Sequence, residues 1–314
     1  MDTNSLQKND PFYTFRNVFT ITAVVGAYLL VSYLLIGFKT EQVWLALLFA
    51  GMYFASRTTR KLITGYSIFI IFWIIFDYMK AFPNYHYNNV HIEGLYNTEK
   101  KLFGITNNGT VLTPNEYWLA NHNTFLDVLT GIFYLCWIPV PLAFAGYLFF
   151  KNRVAFLHFS LTFLLVNLIG FVIYYLYPAA PPWYVQQHGF AFIPNTPGNT
   201  GGLQRFDDHF NISVFRSLYS KSSNVFAAMP SLHASYPVIV LFYGIKNKLG
   251  MANLLFGVVM AGIWFSAVYN SHHYVLDVLA GITCGLTGIF LFQWMIRRSA
   301  YMKKRLNFFG KAIA

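Results

Sequence analysis

The chain is 314 residues long, 56% hydrophobic, 20% aromatic and only 11% charged, against about 25% charged residues in an ordinary soluble domain. A soluble globule is excluded, because it would need several consecutive buried helices of membrane-spanning length with hardly a polar face. The formal net charge of +11 does not mark a nucleic-acid binder, since the basic residues cluster at the ends of apolar runs, where they anchor helices beside anionic headgroups.

The first seventeen residues are mostly polar and lack the apolar core of a cleavable signal peptide, so targeting is expected to rest on the first span. Eight candidate spans follow, at 18–37, 43–56, 62–79, 126–150, 154–177, 226–245, 251–268 and 274–296. The expected fold is therefore an all-α integral membrane bundle of about eight helices. The second span is short for a perpendicular crossing, with a re-entrant segment as the alternative. Pro139 and Pro141 in WIPVPLAF predict a kink packed inside the bundle.

The chain divides into N-terminal helices (1–79), an outer segment (80–125), the unit carrying the chemistry (126–296) and a basic tail (297–314). In the outer segment, NNVHIEGLYNTEKKLFGI spaces Val90, Ile92, Leu95, Leu102, Phe103 and Ile105 as an amphipathic helix lying on the membrane or capping the bundle. NTPGNTGG at 195–202 reads as a turn region. Cys136 and Cys284 sit in apolar stretches and build neither a disulfide framework nor a zinc site.

Charge sets the orientation. With the N-terminus inside, Lys8, Arg16, Arg57, Arg60, Lys61, Lys151, Arg153, Lys246, Lys248 and six tail residues are cytoplasmic, which is 15 of the 22 basic residues. The two long connections, 80–125 and 178–225, then face outward and hold few cations for their length. Asn108 and Asn211 open possible glycosylation sequons on that side.

Two short sequences carry chemistry, and this topology brings both to the outer face. FAAMPSLHASYP holds Ser231 and His233; YNSHHYVLDVLAG holds His272, His273 and Asp277. His273 and Asp277 are four residues apart, one turn on a single helical face. A carboxylate there can fix the tautomer of the imidazole and leave its other nitrogen free to attack. The bland reading is a hydrogen-bonded Asp277 beside interfacial histidines, and His233 alone reads nearly as well as a cap. Ionisable groups near hydrocarbon are costly and usually functional. Arg205 in GGLQRFDDHF could offer a rigid fork to a phosphate or be a solvated loop charge. Asp207 and Asp208 could orient it or solvate the loop, and Asp127 is either a packing link or part of a headgroup cavity. His86, His91, His122, His188 and His209 have no spacing that makes a metal site.

PSLHAS, followed by a Ser266…His273…Asp277 pattern, resembles the second and third motifs of the PAP2, or type 2 phosphatidic acid phosphatase, superfamily. YPAAPPWY (177–184), GLQRFDDHF, LYNTEKKLFGI, LTPNEYW and FYLCWIPVPLAF resemble its branch containing inositol phosphorylceramide synthases. The resemblance implies that His273 attacks phosphorus to form a phosphohistidine, that Asp277 orients it, and that His233 protonates the departing oxygen and then accepts the acceptor's proton. It implies no metal and no cofactor. Arg205, Ser231, Ser266, His272, Asp127, Asp207, Asp208, Tyr177 and Trp183 are the residues it sets around the phosphate and substrate.

The chain departs from the superfamily pattern in three places. Tyr177 precedes Pro178 where the basic first motif would lie, Ala267 follows Ser266 where Arg is usual, and the second motif reads PSLH. Fewer cations suit a phosphodiester better than a doubly charged monoester. The implied reaction is transfer of phosphoinositol from phosphatidylinositol to the hydroxyl of ceramide or dihydroceramide, releasing diacylglycerol. A lipid phosphate or isoprenyl pyrophosphate phosphatase, a transferase of another headgroup, and a transporter or lipid-binding protein are the alternatives. The implied location is a bacterial inner membrane with a periplasmic site, or a Golgi membrane with a luminal one.

Overall fold

The computed structural model describes residues 13–221 and 224–314; Lys8, read above as a cytoplasmic anchor, lies outside the described residues. Three N-terminal helices, α1 (Phe15–Ile36), α2 (Thr40–Ala55) and α3 (Arg57–Tyr78), lead into the outer segment. There α4 (Glu93–Phe103), a hairpin of β1 (Ile105–Asn107) and β2 (Thr110–Leu112), and α5 (Pro114–Ala120) follow in turn. Asn108 and Gly109 both take positive φ, 47° and 79°, which makes the two-residue turn that closes such a hairpin.

The bundle then continues with α6 (Thr124–Leu135), α7 (Pro139–Lys151) and α8 (Arg153–Leu176). A second outer connection carries α9 (Pro182–His188), α10 (Gln204–Phe210) and α11 (Val214–Tyr219). Helices α12 (Leu232–Lys246), α13 (Ala252–Tyr269), α14 (Val275–Arg298) and α15 (Ala300–Ile313) complete the chain.

Among the described residues, six helical stretches are long and apolar enough to cross a membrane: Phe15–Ile36, Arg57–Ala81, Thr124–Lys151, Arg153–Leu176, Ala252–Tyr269 and Val275–Arg298. The other two predicted spans are present as shorter helices, α2 with 16 residues and α12 with 15. At 1.5 Å per residue they reach only about 24 and 22 Å. The span predicted from residue 226 begins later, because 226–231 is irregular chain, with Ala179 bridged to Ala227. The kink expected at Pro139 is a short turn, 136–138, between α6 and α7, and Pro139 opens α7 at a position where its missing N–H costs nothing.

Helix α8 is the centre of the bundle, with Phe156, Phe159, Val166, Asn167 and Tyr174 buried among α3, α7, α12 and α14. Helix α14 meets its neighbours through Gly281, Gly285 and Gly288, the small-residue packing that lets helices approach closely in a membrane. A Cβ on Gly281 would collide with the Ser231 carbonyl oxygen, which is backbone and cannot swing aside. We expect Gly281→Ala to destabilise the protein by about 1–3 kcal/mol and to force the α12 N-terminus away from α14, read as a lowered melting midpoint in detergent together with lost turnover.

Both long connections gather at one end of the bundle. At the other end α15 crosses α3, α8 and α14, and Lys61 Nζ donates to the Ala314 carbonyl.

Candidate active site

The first element of the site is a helix end. Helix α13 stops at Tyr269, and the Ser271 N–H turns back to the Val268 carbonyl (3.1 Å) while the His272 N–H reaches Ala267 (3.0 Å). These are the two bonds of a Schellman turn, whose left-handed residue is usually glycine. Here it is Ser271, at φ 58°. The strain is held from outside: Trp183 N donates to the Ser271 carbonyl (3.0 Å) and Gln186 Nε2 to its hydroxyl (3.0 Å). Trp183 thus acts on the loop through its backbone, from the start of α9.

The turn delivers His272 and His273 in different directions. His272 Nε2 lies 2.7 Å from the Thr200 carbonyl, so that nitrogen carries the proton. Its ring is sandwiched between Tyr219 (4.3 Å) and Tyr134 (5.4 Å), and burial lowers its pKa to about 3. This histidine is fully engaged in holding the 200–203 turn. His273 is buried as well, and burial, opposed by the Ala228 carbonyl, lowers its pKa to about 4. Its imidazole is therefore neutral at physiological pH, as a nucleophile must be.

His273 Nε2 faces His233 Nδ1 at 3.1 Å, and Tyr134 Oη lies 3.1 Å from the same Nδ1. One proton on His233 Nδ1, shared between the tyrosine oxygen and His273 Nε2, satisfies all three groups. On the other side of the ring, His273 Nδ1 is 3.6 Å from Asp277 Oδ2, just beyond hydrogen-bond length. The expectation that His273 and Asp277 share one helical face is replaced by a different geometry. Helix α14 begins only at Val275, and Asp277 folds back within its first turn to accept the Tyr274 N–H at 2.8 Å. The pair meets across a helix start rather than along a helix.

His233 sits in the first turn of α12, whose N-cap is Ser231. The Ser231 hydroxyl accepts from Ala234 N (3.3 Å), and its own N–H donates to the Asp277 carbonyl (2.9 Å). Ser231 thereby ties α12 to α14 and sets His233 opposite His273. The α6–α7 turn sets Trp137 against the His233 ring at 4.4 Å. Ser266 is buried one helix earlier, its hydroxyl donating to the Gly262 carbonyl at 2.6 Å.

A second polar cluster adjoins this one. Asp127, two turns before Tyr134 on α6, is buried and accepts from Arg205 Nε (2.6 Å) and Tyr269 Oη (2.8 Å), with His122 Nδ1 at 3.3 Å. Arg205 is thus oriented by Asp127, not by Asp207 or Asp208. Asp207 instead accepts the Phe215 and Arg216 N–H groups at 3.2 and 2.9 Å, capping α11. Asp208 is exposed, paired with Gln204 (2.6 Å) and near Arg216 (3.8 Å). Arg205 Nη2 and Asn270 Oδ1 are buried without partners among the described residues. Gly202, whose N–H donates to the Asn270 carbonyl (2.9 Å), packs against both. A cationic donor is therefore held in reserve beside the loop that carries His273.

Tyr177 stacks on His91 at 3.8 Å and lines, with Ile169, Ile173, Met229, Pro230 and Cys284, an apolar cavity of about 360 Å³ between α8 and α14. Among the described residues, no group of three or more His, Cys, Asp or Glu is placed to hold a metal ion. Sequence reasoning missed Tyr134, Trp137, Tyr219 and Tyr269. Of these only Tyr134 left a trace, its seven-residue spacing from Asp127.

The sequence profile of the PAP2 superfamily matches residues 110–291. A phosphoinositol dihydroceramide synthase of Bacteroides thetaiotaomicron is 45% identical over 298 residues, covering 94% of this chain and 97% of that protein. The inositol phosphorylceramide synthase catalytic subunit of Saccharomyces cerevisiae is 31% identical over 170 residues, 51% of this chain and 40% of its own. The inositol phosphorylceramide synthase of Candida albicans is 29% identical over 175 residues, 52% of this chain and 37% of its own. No solved structure matches the chain. A profile match over more than half the chain and a near full-length relative agree with the motifs around His233, His273 and Asp277: this integral membrane protein belongs to the PAP2 superfamily, in its inositol phosphorylceramide synthase-like branch.

Proposed function

We propose that the protein transfers phosphoinositol from phosphatidylinositol to the hydroxyl of ceramide or dihydroceramide, releasing diacylglycerol. The observation that carries the chemistry is the 3.1 Å approach of His273 Nε2 and His233 Nδ1, with Asp277 behind the attacking ring. His273 Nε2 attacks phosphorus; the bond to the glyceryl oxygen breaks, and that oxygen leaves with a proton from His233, which the entering phosphodiester anion favours in its imidazolium form over the singly protonated resting state. Neutral His233 then takes the proton of the acceptor hydroxyl, whose oxygen attacks phosphorus as the bond to His273 breaks. Each turnover returns both histidines to their starting state.

Substrate choice follows from charge. Arg205 is already paired with Asp127 at 2.6 Å, so the site suits the single charge of a phosphodiester, with Arg205 Nη2 and nearby backbone amides as donors to the developing charge. In this reading Ser231, His272 and Trp183 hold the loops around the phosphate, Tyr177 lines the neighbouring apolar cavity and Asp127 aims Arg205, while Ser266, Asp207 and Asp208 bond elsewhere. Basic residues concentrated at the end bearing α15 support an outward-facing site, periplasmic in a bacterium or luminal in a Golgi membrane. The name of the Bacteroides relative supports inositol as the headgroup and dihydroceramide as an acceptor.

The test supplies purified protein with headgroup-labelled phosphatidylinositol and a fluorescent ceramide. Label on the sphingolipid is expected. Soluble label without that product would instead indicate a phosphatase or lipase, and label transferred only from another phospholipid would reassign the donor.

A further inference from the structure

The start of α14 holds Asp277 beside His273, yet it lacks an ordinary cap: its N-cap is Tyr274, with no side-chain hydrogen bond to the first turn. The free N–H groups are taken from far away. Val275 N and Leu276 N donate to the two carboxylate oxygens of Glu99, at 2.9 and 3.1 Å. Glu99 is fully buried on α4, and Leu95, one turn earlier on the same face, packs with Ala179, Ala228 and Tyr274. The neighbouring α5 adds a second clamp, Asn115 Nδ2 donating to the His273 carbonyl (2.9 Å) and the Val268 carbonyl (2.8 Å). Glu99 and Asn115 thus fix the reacting loop from outside the bundle, and Glu99 lies N-terminal to the segment matched by the family profile.

A helix start with unmet N–H groups draws in the nearest carboxylate. Asp277, the third residue of α14, is that carboxylate if the position of Glu99 is empty. Its Oδ1 is buried with no partner among the described residues, and its Oδ2 is held by one bond, from the Tyr274 N–H at 2.8 Å, which lies beside the Val275 and Leu276 N–H groups it would turn onto. We propose that Glu99 is a positioning residue for the transfer reaction: by occupying these two N–H groups it keeps Asp277 turned toward His273. The competition has an electrostatic cost, since burial and the nearby Asp277 raise the Glu99 carboxyl to about 7. The inference rests on His273 and Asp277 as the reacting pair.

The experiment is a double-mutant cycle in the full-length protein, using Glu99→Gln, Asp277→Asn and the double variant, with single-turnover formation of labelled phosphoenzyme as the readout. Gln accepts through one oxygen only and turns an NH2 toward the second N–H. Glu99→Gln is expected to slow phosphoenzyme formation by about 10–100-fold while leaving KM for both lipids little changed. In the Asp277→Asn background the same change is expected to cost nothing further, because its target is gone. Glu99→Asp, which keeps the charge, should retain more activity than Glu99→Gln at matched melting midpoints. Losses that multiply in the double variant, or Asp and Gln variants of equal activity, would overturn the proposal and leave Glu99 as a packing contact. Absence of transfer by the unaltered protein would remove the functional reading and this inference together.

Discussion

His273→Ala is expected to abolish phosphoinositol transfer, lowering kcat by at least about 10⁴-fold, whereas His233→Ala should slow both half-reactions by about 10²–10⁴-fold while still accumulating phosphoenzyme. The difference follows from the two roles. Without the His273 imidazole there is no nitrogen to take the phosphoryl group, and the buried site gives water no equivalent position. Without His233 the nucleophile remains, still neutral because burial lowers its pKa to about 4, but the departing diacylglycerol oxygen must find its proton elsewhere. The measurement is alkaline-quench trapping of labelled protein, since a phosphohistidine survives base and is lost in acid. Label retained by His273→Ala, or absent from both the unaltered protein and His233→Ala, would reject His273 as the covalent carrier.

Arg205→Ala is expected to lower kcat/KM for phosphatidylinositol by about 10²–10³-fold, the usual loss when one preorganised donor to a developing oxyanion is removed. Arg205→Lys should recover little. The guanidinium is held by Asp127 through Nε at 2.6 Å and lies over the Tyr269 ring at 5.3 Å; a lysine cannot make that side-on bond and still extend a second donor. Asp127→Asn keeps the shape of the site but loses the charge that aims Arg205, so a smaller loss of about tenfold is expected. Steady-state kinetics of the three variants with both lipids varied decide the point. Full activity in Arg205→Lys would mean that a point charge suffices, and unchanged activity in Arg205→Ala would move phosphate recognition to the backbone amides around Ser231.

Much of this molecule was legible without coordinates, for two reasons. Lipid-facing and core-facing apolar surface is contributed locally, so each span announces itself by its own composition; all eight predicted spans are helical, the fourth as the pair α6 and α7, and six stretches among the described residues have crossing length. Ionisable groups in such surroundings are rare enough to stand out, which made His233, His273 and Asp277 visible, along with the face they share. Even so, one local geometry was misread. The four-residue spacing of His273 and Asp277 suggested a continuous helix, but the Ser271 turn and the Tyr274 cap place the histidine ahead of α14. Periodicity describes helix interiors and says little about their ends.

What only the tertiary structure decided are the pairings between distant polar groups. Arg205 finds Asp127 across 78 residues, although Asp207 and Asp208 are its neighbours in sequence. Glu99 reaches Val275 across 176 residues, from a helix whose spacing spoke only of amphipathicity. Asp207 caps α11, Tyr134 joins His233, and Ser231 bonds the Asp277 backbone. The physical reason is common to all of them. Burial of apolar surface is additive along the chain and leaves a pattern, whereas a hydrogen bond is short and directional, and its partner is chosen by which helix ends the packed bundle brings within 3 Å of each other. Composition and motif determined that this protein is a membrane bundle and singled out His233, His273 and Asp277; the folded arrangement of helix ends decided which carboxylate orients Arg205, and which one meets the free N–H groups that follow His273.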